Sequence, residues 1–257
     1  MLSEAEARRL VAGPFGQTLL QTAGSYVAPI YWIFQENRDE PKKINNGTIF
    51  FIDCGEGPIA ITAGHVYSSY LYQKRQSEII TCNILNENFD LEENRIEINN
   101  DENIDIATFK ITEELIRKIG KVTLTPKVWP PIVPKKDQGI FFAGYPGQER
   151  ITKQVKETNI TKINFGKYTM LETVTNIDEK SISCHFTEDK VDTLGLGFPE
   201  PGYDLGGISG APLLILYQDP VIHWSLGGVI RQAISEYEIL YATRADFILL
   251  NGKLKSL

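Results

Sequence analysis

Apolar residues along this chain come in short runs closed off by turn formers. Residues 47–52 (GTIFFI), 58–63 (PIAITA), 78–85 (EIITCNIL), 104–111 (IDIATFKI) and 139–144 (GIFFAG) are of this kind. So are 181–186 (SISCHF), 211–217 (APLLILY) and 223–230 (HWSLGGVI). Each is rich in β-branched or aromatic residues and bounded by Gly, Asn, Asp or Pro, the signature of strands. Strands at this density predict an all-β sandwich or barrel rather than βαβ units. A helical pattern is confined to residues 3–11, to 112–120 with Gly120 at a C-cap position, and to 244–250. Residues 125–139 carry four prolines, which cannot serve a central ladder. The pattern therefore predicts an N-terminal extension over 1–23, a first β-domain over 24–124, a Pro-rich linker over 125–138 and a second β-domain over 139–257.

Composition narrows the class. The chain has 257 residues, 26 Lys and Arg against 33 Asp and Glu, and a formal net charge of -7. That balance gives no bulk attraction for nucleic acid or anionic lipid, and no Lys/Arg run offers a local one. Cys54, Cys82 and Cys184 are widely spaced, and no C-x-x-C pair exists. The N-terminus opens with acids and lacks an apolar signal core, and the apolar stretch 26–34 is broken by Pro29. The expectation is a soluble, cytoplasmic protein with reduced thiols and no membrane or nucleic-acid partner. Residues 83–105 hold eight acids and one Arg, read as a solvated face with electrostatic docking as the rival.

Only three histidines exist, so the search for a general base is short. His185 and His223 sit in strands and read as structural. No two histidines share a ligand spacing, which excludes a recognisable metal motif. His65 follows the run 58–63. Asp105 enters a buried-looking strand, where a carboxylate needs a partner. Ser209 lies among Gly206, Gly207 and Gly210, ahead of Pro212. Glycines around one hydroxyl permit a tight turn whose amides converge on one point, as an oxyanion hole requires. The plainer reading is a Gly-rich turn whose serine caps the bend. An α/β-hydrolase elbow is excluded, because Ala211 stands where Gly is needed and no workable acid and histidine follow the serine. Histidine as base, Asp as its orienter and Ser as nucleophile form one machine in the order His65, Asp105, Ser209.

Three motifs then resemble the chymotrypsin-like (trypsin-fold) serine peptidases. Thr62-Ala63-Gly64-His65-Val66 matches Thr-Ala-x-His, Asp105-Ile106-Ala107 matches Asp-(Ile/Leu)-Ala, and Gly207-Ile208-Ser209-Gly210-Ala211-Pro212 matches Gly-x-Ser-Gly-x-Pro. Residues 141–147 are similar to the first strand of the family's second barrel, and 240–250 to its last strand running into a C-terminal helix. The resemblance implies two six-stranded antiparallel β-barrels with the active site between them, His65 and Asp105 on the first and Ser209 on the second. It implies an oxyanion hole from the N–H groups of Gly207 and Ser209, no cofactor, and peptide-bond hydrolysis through an acyl-enzyme. For the substrate pocket it implies Tyr203 at the base with Asp204 beside it, and walls near Gln232, Ala233 and Ile239. Tyr203 offers no carboxylate for Arg or Lys, Asp204 would contribute one only with its side chain pointing inward, and the pocket is read as one for an apolar or small residue.

Two departures from the family are informative. Members activated by trimming carry an acid directly before the serine, where this chain has Ile208, and no Ile-Val-Gly-Gly start exists. The disulfide that flanks the histidine in secreted relatives is also missing, as in a disulfide-free bacterial-type branch. The rival expectation is a latent or non-catalytic module of the same fold that binds, senses, or is switched on by a regulatory partner protein.

Overall fold

The structure is a computed structural model and describes residues 12–37, 39–155, 160–185, 203–218 and 221–255. The helix expected over 3–11 lies outside these. The described chain begins with α1 (Pro14–Tyr26), then β1 (Val27–Gln35), β2 (Lys43–Asp53), β3 (Pro58–Ala63), α2 (Gly64–Gln76), β4 (Glu78–Ile84), β5 (Glu87–Asn88), β6 (Arg95–Asn99), β7 (Ile106–Lys110) and α3 (Glu113–Lys118). It continues with β8 (Gly139–Gly144), β9 (Arg150–Val155), β10 (Ile160–Phe165), β11 (Tyr168–Thr173), β12 (Asn176–Ile177), β13 (Ser181–His185), β14 (Pro212–Tyr217), β15 (His223–Ile234) and β16 (Ile239–Arg244).

These strands make two antiparallel sheets, ordered β5-β4-β1-β2-β3-β7-β6 and β11-β8-β14-β15-β16-β13-β12, and β9 pairs only with β10. The outermost strands of each sheet are consecutive in the chain. Laid flat, seven strands would span about 29 Å. The three steps from Thr173 to Asn176 reach about 11 Å, and the seven from Asn88 to Arg95 about 25 Å. Each sheet must therefore curl toward a barrel. Each has six strands of five residues or more, as expected, plus a seventh of two residues, β5 and β12.

The continuous apolar runs now have a cause. Ile49 and Phe51 of β2 fill the first barrel, whereas Phe50 and Ile52 enter a core shared with the second sheet. In β8, Ile140 and Phe142 fill the second barrel, whereas Phe141 and Ala143 meet that same shared core. Leu213 and Ile215 against Leu214 repeat the division in β14. Strands at the junction are apolar on both faces because both faces are covered. Helix α1 is part of this junction rather than an appendage: Leu19 and Ala23 lie in the shared core. Its last turn is held by Lys121, whose Nζ donates to Gly24 O at 3.0 Å and to Tyr145 Oη at 3.3 Å.

Helix α3 falls within the predicted 112–120, N-capped by Thr112 Oγ1, with Gly120 at φ +69°. The predicted C-terminal helix over 244–250 is corrected to a single 3-10 turn, Ala245–Phe247. The chain cannot wind on, because it reverses to bridge Ile248 with Leu254 while Thr108 Oγ1 donates to Gly252 O at 2.7 Å. Helices α1 and α2 were outside the sequence reading. Among the described residues no helix is long and apolar enough to cross a membrane. All three cysteines are free and buried, and burial pushes each thiol up to about 12, far from a nucleophilic thiolate.

Candidate active site

His65 stands in the first turn of α2, directly after β3. The first amides of a helix have no intrahelical acceptor. Asp105 supplies one, its Oδ1 accepting the His65 backbone N–H at 2.7 Å while its Oδ2 lies 2.6 Å from the ring Nδ1. One carboxylate thus fixes both the backbone and the ring of the same residue. Nδ1 faces an acceptor-only carboxylate and so donates, and in the neutral ring the lone pair is then on Nε2. The Asp105 side chain is only 10% exposed and that of His65 51%, so the buried partner is the orienter and the open one can meet a ligand.

Asp105 sits at φ +44°, a conformation uncommon for a side-chain-bearing residue. Its loop is built to impose it: Asp105 N donates to Asp101 O, and Asn103 N to Asp101 Oδ1. The second sheet braces the same loop, for Thr243 Oγ1 donates to Ile104 O at 2.6 Å and Arg231 Nη1 donates to Glu102 O.

Ser209 lies on the turn between Asp204 and β14. Most of the turn's amides are bonded within the protein: Gly206 to Asp204 Oδ1, Ile208 to Leu205 O, Gly210 to Ile230 O and Ala211 to Ile208 O. Among the described residues, the amides of Gly207 and Ser209 donate to no protein group. Gly207 is at φ +100°, and a Cβ there would come within 2.7 Å of Asn46 Nδ2 and 2.8 Å of Tyr145 O. Gly210, at φ +92°, packs its Cα onto Thr48 O and Thr62 Oγ1 and leaves no room for a side chain. The Ser209 hydroxyl donates to Arg231 O at 3.3 Å and makes no hydrogen bond to His65.

The turn is held from the opposite sheet by Thr48, a fully buried residue. Its N–H donates to Ser209 O at 3.0 Å, its Oγ1 donates to Gly207 O at 2.9 Å and accepts from Tyr145 N, and its carbonyl accepts from Thr62 Oγ1.

His65 and Ser209 face two recesses that meet at this pair. The first, about 520 Å³, is lined by Asp105, Asp204, Gln232 and Ala233, together with Glu102 and Arg231. The second, about 370 Å³, is lined chiefly by the first sheet and α2, including Trp32, Asn46 and Val66, together with Gly207 and Arg150. Of the residues named from sequence, the cleft gathers His65, Asp105, Gly207, Ser209, Asp204, Gln232 and Ala233. Tyr203 and Ile239 line neither recess. Tyr203 donates to Glu149 Oε1 at 2.7 Å and stacks on Tyr168, and Ile239 pairs within the sheet with Ile234 and His185.

Sequence reasoning missed Thr48, Arg231, Asn46 and Arg150. Arg231 had a signal, a cation in the apolar strand 223–234, and so had the polar start of β2. Thr48 had none, since a buried threonine inside an apolar run reads as an ordinary strand residue.

No protein-family model matches the chain, and no curated protein matches it. Several solved structures are similar in overall course. They include the active form of the Rv3671c protease from M. tuberculosis, at 15% identity over 91% of this chain and 82% of that one, with a TM-score of 0.46. A Glu endopeptidase in complex with MPD is 16% identical over 89% and 87% of the two chains, with a TM-score of 0.45. The serine protease domain of the Sesbania mosaic virus polyprotein is 13% identical over 91% and 97%, also with a TM-score of 0.45. At such identities and scores the likeness says nothing of chemistry or substrate, which rest on the side chains just described.

Proposed function

We propose that this chain is a serine endopeptidase of the chymotrypsin-like kind. It would divide into a first barrel over 24–124 and a second over 139–257, with 125–138 as the linker. The observation that carries the reading is the two-point grip of Asp105 on His65 in the cleft that also holds Ser209, a grip on Nδ1 that leaves Nε2 of the neutral ring to act as base.

In the reaction, Ser209 Oγ leaves Arg231 O and passes its proton to His65 Nε2 as it attacks the scissile carbonyl carbon. The carbonyl oxygen takes up negative charge and receives hydrogen bonds from the amides of Gly207 and Ser209, neither of which donates to a protein group among the described residues. One such donor is worth about 3–4 kcal/mol to the transition state. Asp105 stays ionised and stabilises the imidazolium. His65 then protonates the amine nitrogen as the C–N bond breaks. Water repeats the sequence to release the acid and restore Ser209. Every proton and electron pair is accounted for without a cofactor, and a protein or peptide is the substrate. Three buried free thiols suit a reducing compartment such as the cytoplasm.

The orientation of the Ser209 hydroxyl favours one alternative, a latent module in which a regulatory partner must turn Ser209 toward His65. Labelling with a fluorophosphonate probe decides between them. Labelling of the wild type that is lost in Ser209→Ala and in His65→Ala is the expected result. Absence of labelling in the folded wild type sinks the constitutive enzyme and leaves the gated one.

A further inference from the structure

The two recesses flanking His65 and Ser209 differ in charge. The one beside Gln232 and Ala233 is lined by Glu102, Asp105 and Asp204, and its cation, Arg231, is already committed to Glu102 O and Ser181 Oγ. The other is lined by no acid at all, in a chain whose net charge is -7. Its charged side chain is Arg150, at the start of β9 and half-buried.

Arg150 is positioned rather than loose. Its Nη1 donates to Asn46 Oδ1 at 2.7 Å, and Asn46 Nδ2 donates in turn to Tyr145 O at 2.9 Å. No carboxylate lies within ion-pair reach of it among the described residues. The adjacent acid, Glu149, accepts from Tyr203 instead. A guanidinium has five N–H donors, and a neutral amide oxygen occupies one here. Partial burial pulls its pKa below the ordinary value, although an arginine stays charged. Holding a cation this way costs stability unless something returns it, and the group that pairs best with the remaining fork is a carboxylate.

The side of the cleft follows from the walls. Most of the recess is lined by residues of the first sheet and α2, the wall that carries His65, and His65 hands its proton to the departing amine. We propose that Arg150 reads a carboxylate on the leaving-group side of the substrate, so that the protein selects peptides acidic there. The carboxylate comes from an Asp or Glu side chain or from the peptide's own C-terminus. This rests on the serine-peptidase reading for the direction of the chain in the cleft, but the contact itself is a binding event.

The test therefore uses the full chain with Ser209→Ala, so that affinity is measured without turnover. Fluorescein-labelled pentapeptides carrying Glu or Gln at each position in turn, with free or amidated C-termini, are titrated by anisotropy. Glu over Gln, or free over amidated, should bind about tenfold tighter at one placement. The first pattern identifies a side chain and the second the terminus. Adding Arg150→Gln should abolish the difference. Equal binding of Glu and Gln peptides and of free and amidated ones overturns the proposal, as does a preference that survives Arg150→Gln. If that variant does not fold, phenylglyoxal modification of the Ser209→Ala chain, mapped by mass spectrometry, replaces it. The carboxylate peptide and not its amide should shield Arg150, and equal shielding overturns the proposal. Loss of fluorophosphonate labelling with carboxylate selection intact would separate failure of the enzymatic reading from failure of this one.

Discussion

The two halves of the cleft are assembled differently. His65 and Asp105 come from one sheet and are locked by contacts made within it, two hydrogen bonds from one carboxylate to one residue. Ser209 comes from the other sheet, and its turn, besides the bonds of its own amides to Leu205, Ile208 and Ile230, is held across the junction by Thr48, which binds both Ser209 O and Gly207 O. The locked half makes its grip within its own barrel, with Thr243 and Arg231 of the other sheet bracing only the loop before Asp105, whereas the borrowed half takes direct bonds from across the junction. Perturbations within the first half should damage chemistry and spare the fold. Perturbations of the second should damage both.

The largest effect is expected at the carboxylate. Asp105→Asn keeps the size but replaces an acceptor by an amide that cannot hold Nδ1–H in the same tautomer. On the serine-peptidase reading, the rate of fluorophosphonate labelling should fall by about 10⁴-fold. Circular dichroism and melting should show a folded protein. A drop of less than about tenfold would mean that Asp105 does not orient His65 during the reaction.

Gly210 comes next and separates the halves most sharply. At φ +92°, with its Cα against Thr48 O and Thr62 Oγ1, it cannot take a side chain without pushing the sheets apart. Gly210→Val should remove labelling and destabilise by about 3 kcal/mol or more, the scale of overpacking added to backbone strain. Urea unfolding measures it. A variant of wild-type stability would show that the turn does not depend on close docking.

Much of this was legible in the sequence, for identifiable reasons. Strands such as 58–63 and 139–144 are read at their observed limits because both faces are apolar and turn residues close both ends. Helix α2 was not, although Val66, Tyr67, Tyr70 and Gln73 repeat on one side, because tyrosine and glutamine blur the apolar period. Helix α1 was hidden by its glycines. Gly24, a poor helix former, sits where the Lys167 side chain crosses, a requirement that no local pattern announces. The 244–250 segment has a helical pattern that tertiary contacts override, since Gly252 and Leu254 are claimed by Thr108 and Glu97. Within the site, His65, Asp105 and Ser209 stood out as scarce or locally odd residues. Thr48 and Asn46 did not, because their partners are 159 and 99 positions away.

Thr48 allows the borrowed half to be weakened by degrees. Thr48→Val preserves shape but leaves Gly207 O and Tyr145 N–H without the hydroxyl they share. The expected cost is about 2–4 kcal/mol in urea unfolding, two buried groups losing their partner. Labelling should fall as well, since Gly207 is freed to drift. Thr48→Ser, which keeps the hydroxyl, should restore most of both. If Val keeps wild-type stability and labelling while Ser loses them, the methyl packing and not the hydrogen bonds holds the turn.

The smallest effect concerns a charged contact across the junction, Lys121 to Gly24 O and Tyr145 Oη. The bonds at Thr48 are neutral and favourable at every pH, whereas Lys121 brings a charge into a partly buried place. Burial, with Lys167 nearby, lowers its pKa from 10.5 to about 8. Below pH 8 the lysine is protonated both folded and unfolded, and the full cost of burying the charge is present. Between pH 8 and 10.5 the folded protein gives up the proton first, so the unfolded chain binds more protons and stability rises with pH. Lys121→Met removes the titrating group and keeps an apolar stem. The difference in Tm, variant minus wild type, should therefore fall as the pH is raised from 8 to 10.5 and be flat between 6 and 7.5. A difference that is flat throughout would mean that the ammonium is as well solvated in the fold as out of it, and that this contact, unlike those at Thr48, does not couple the barrels.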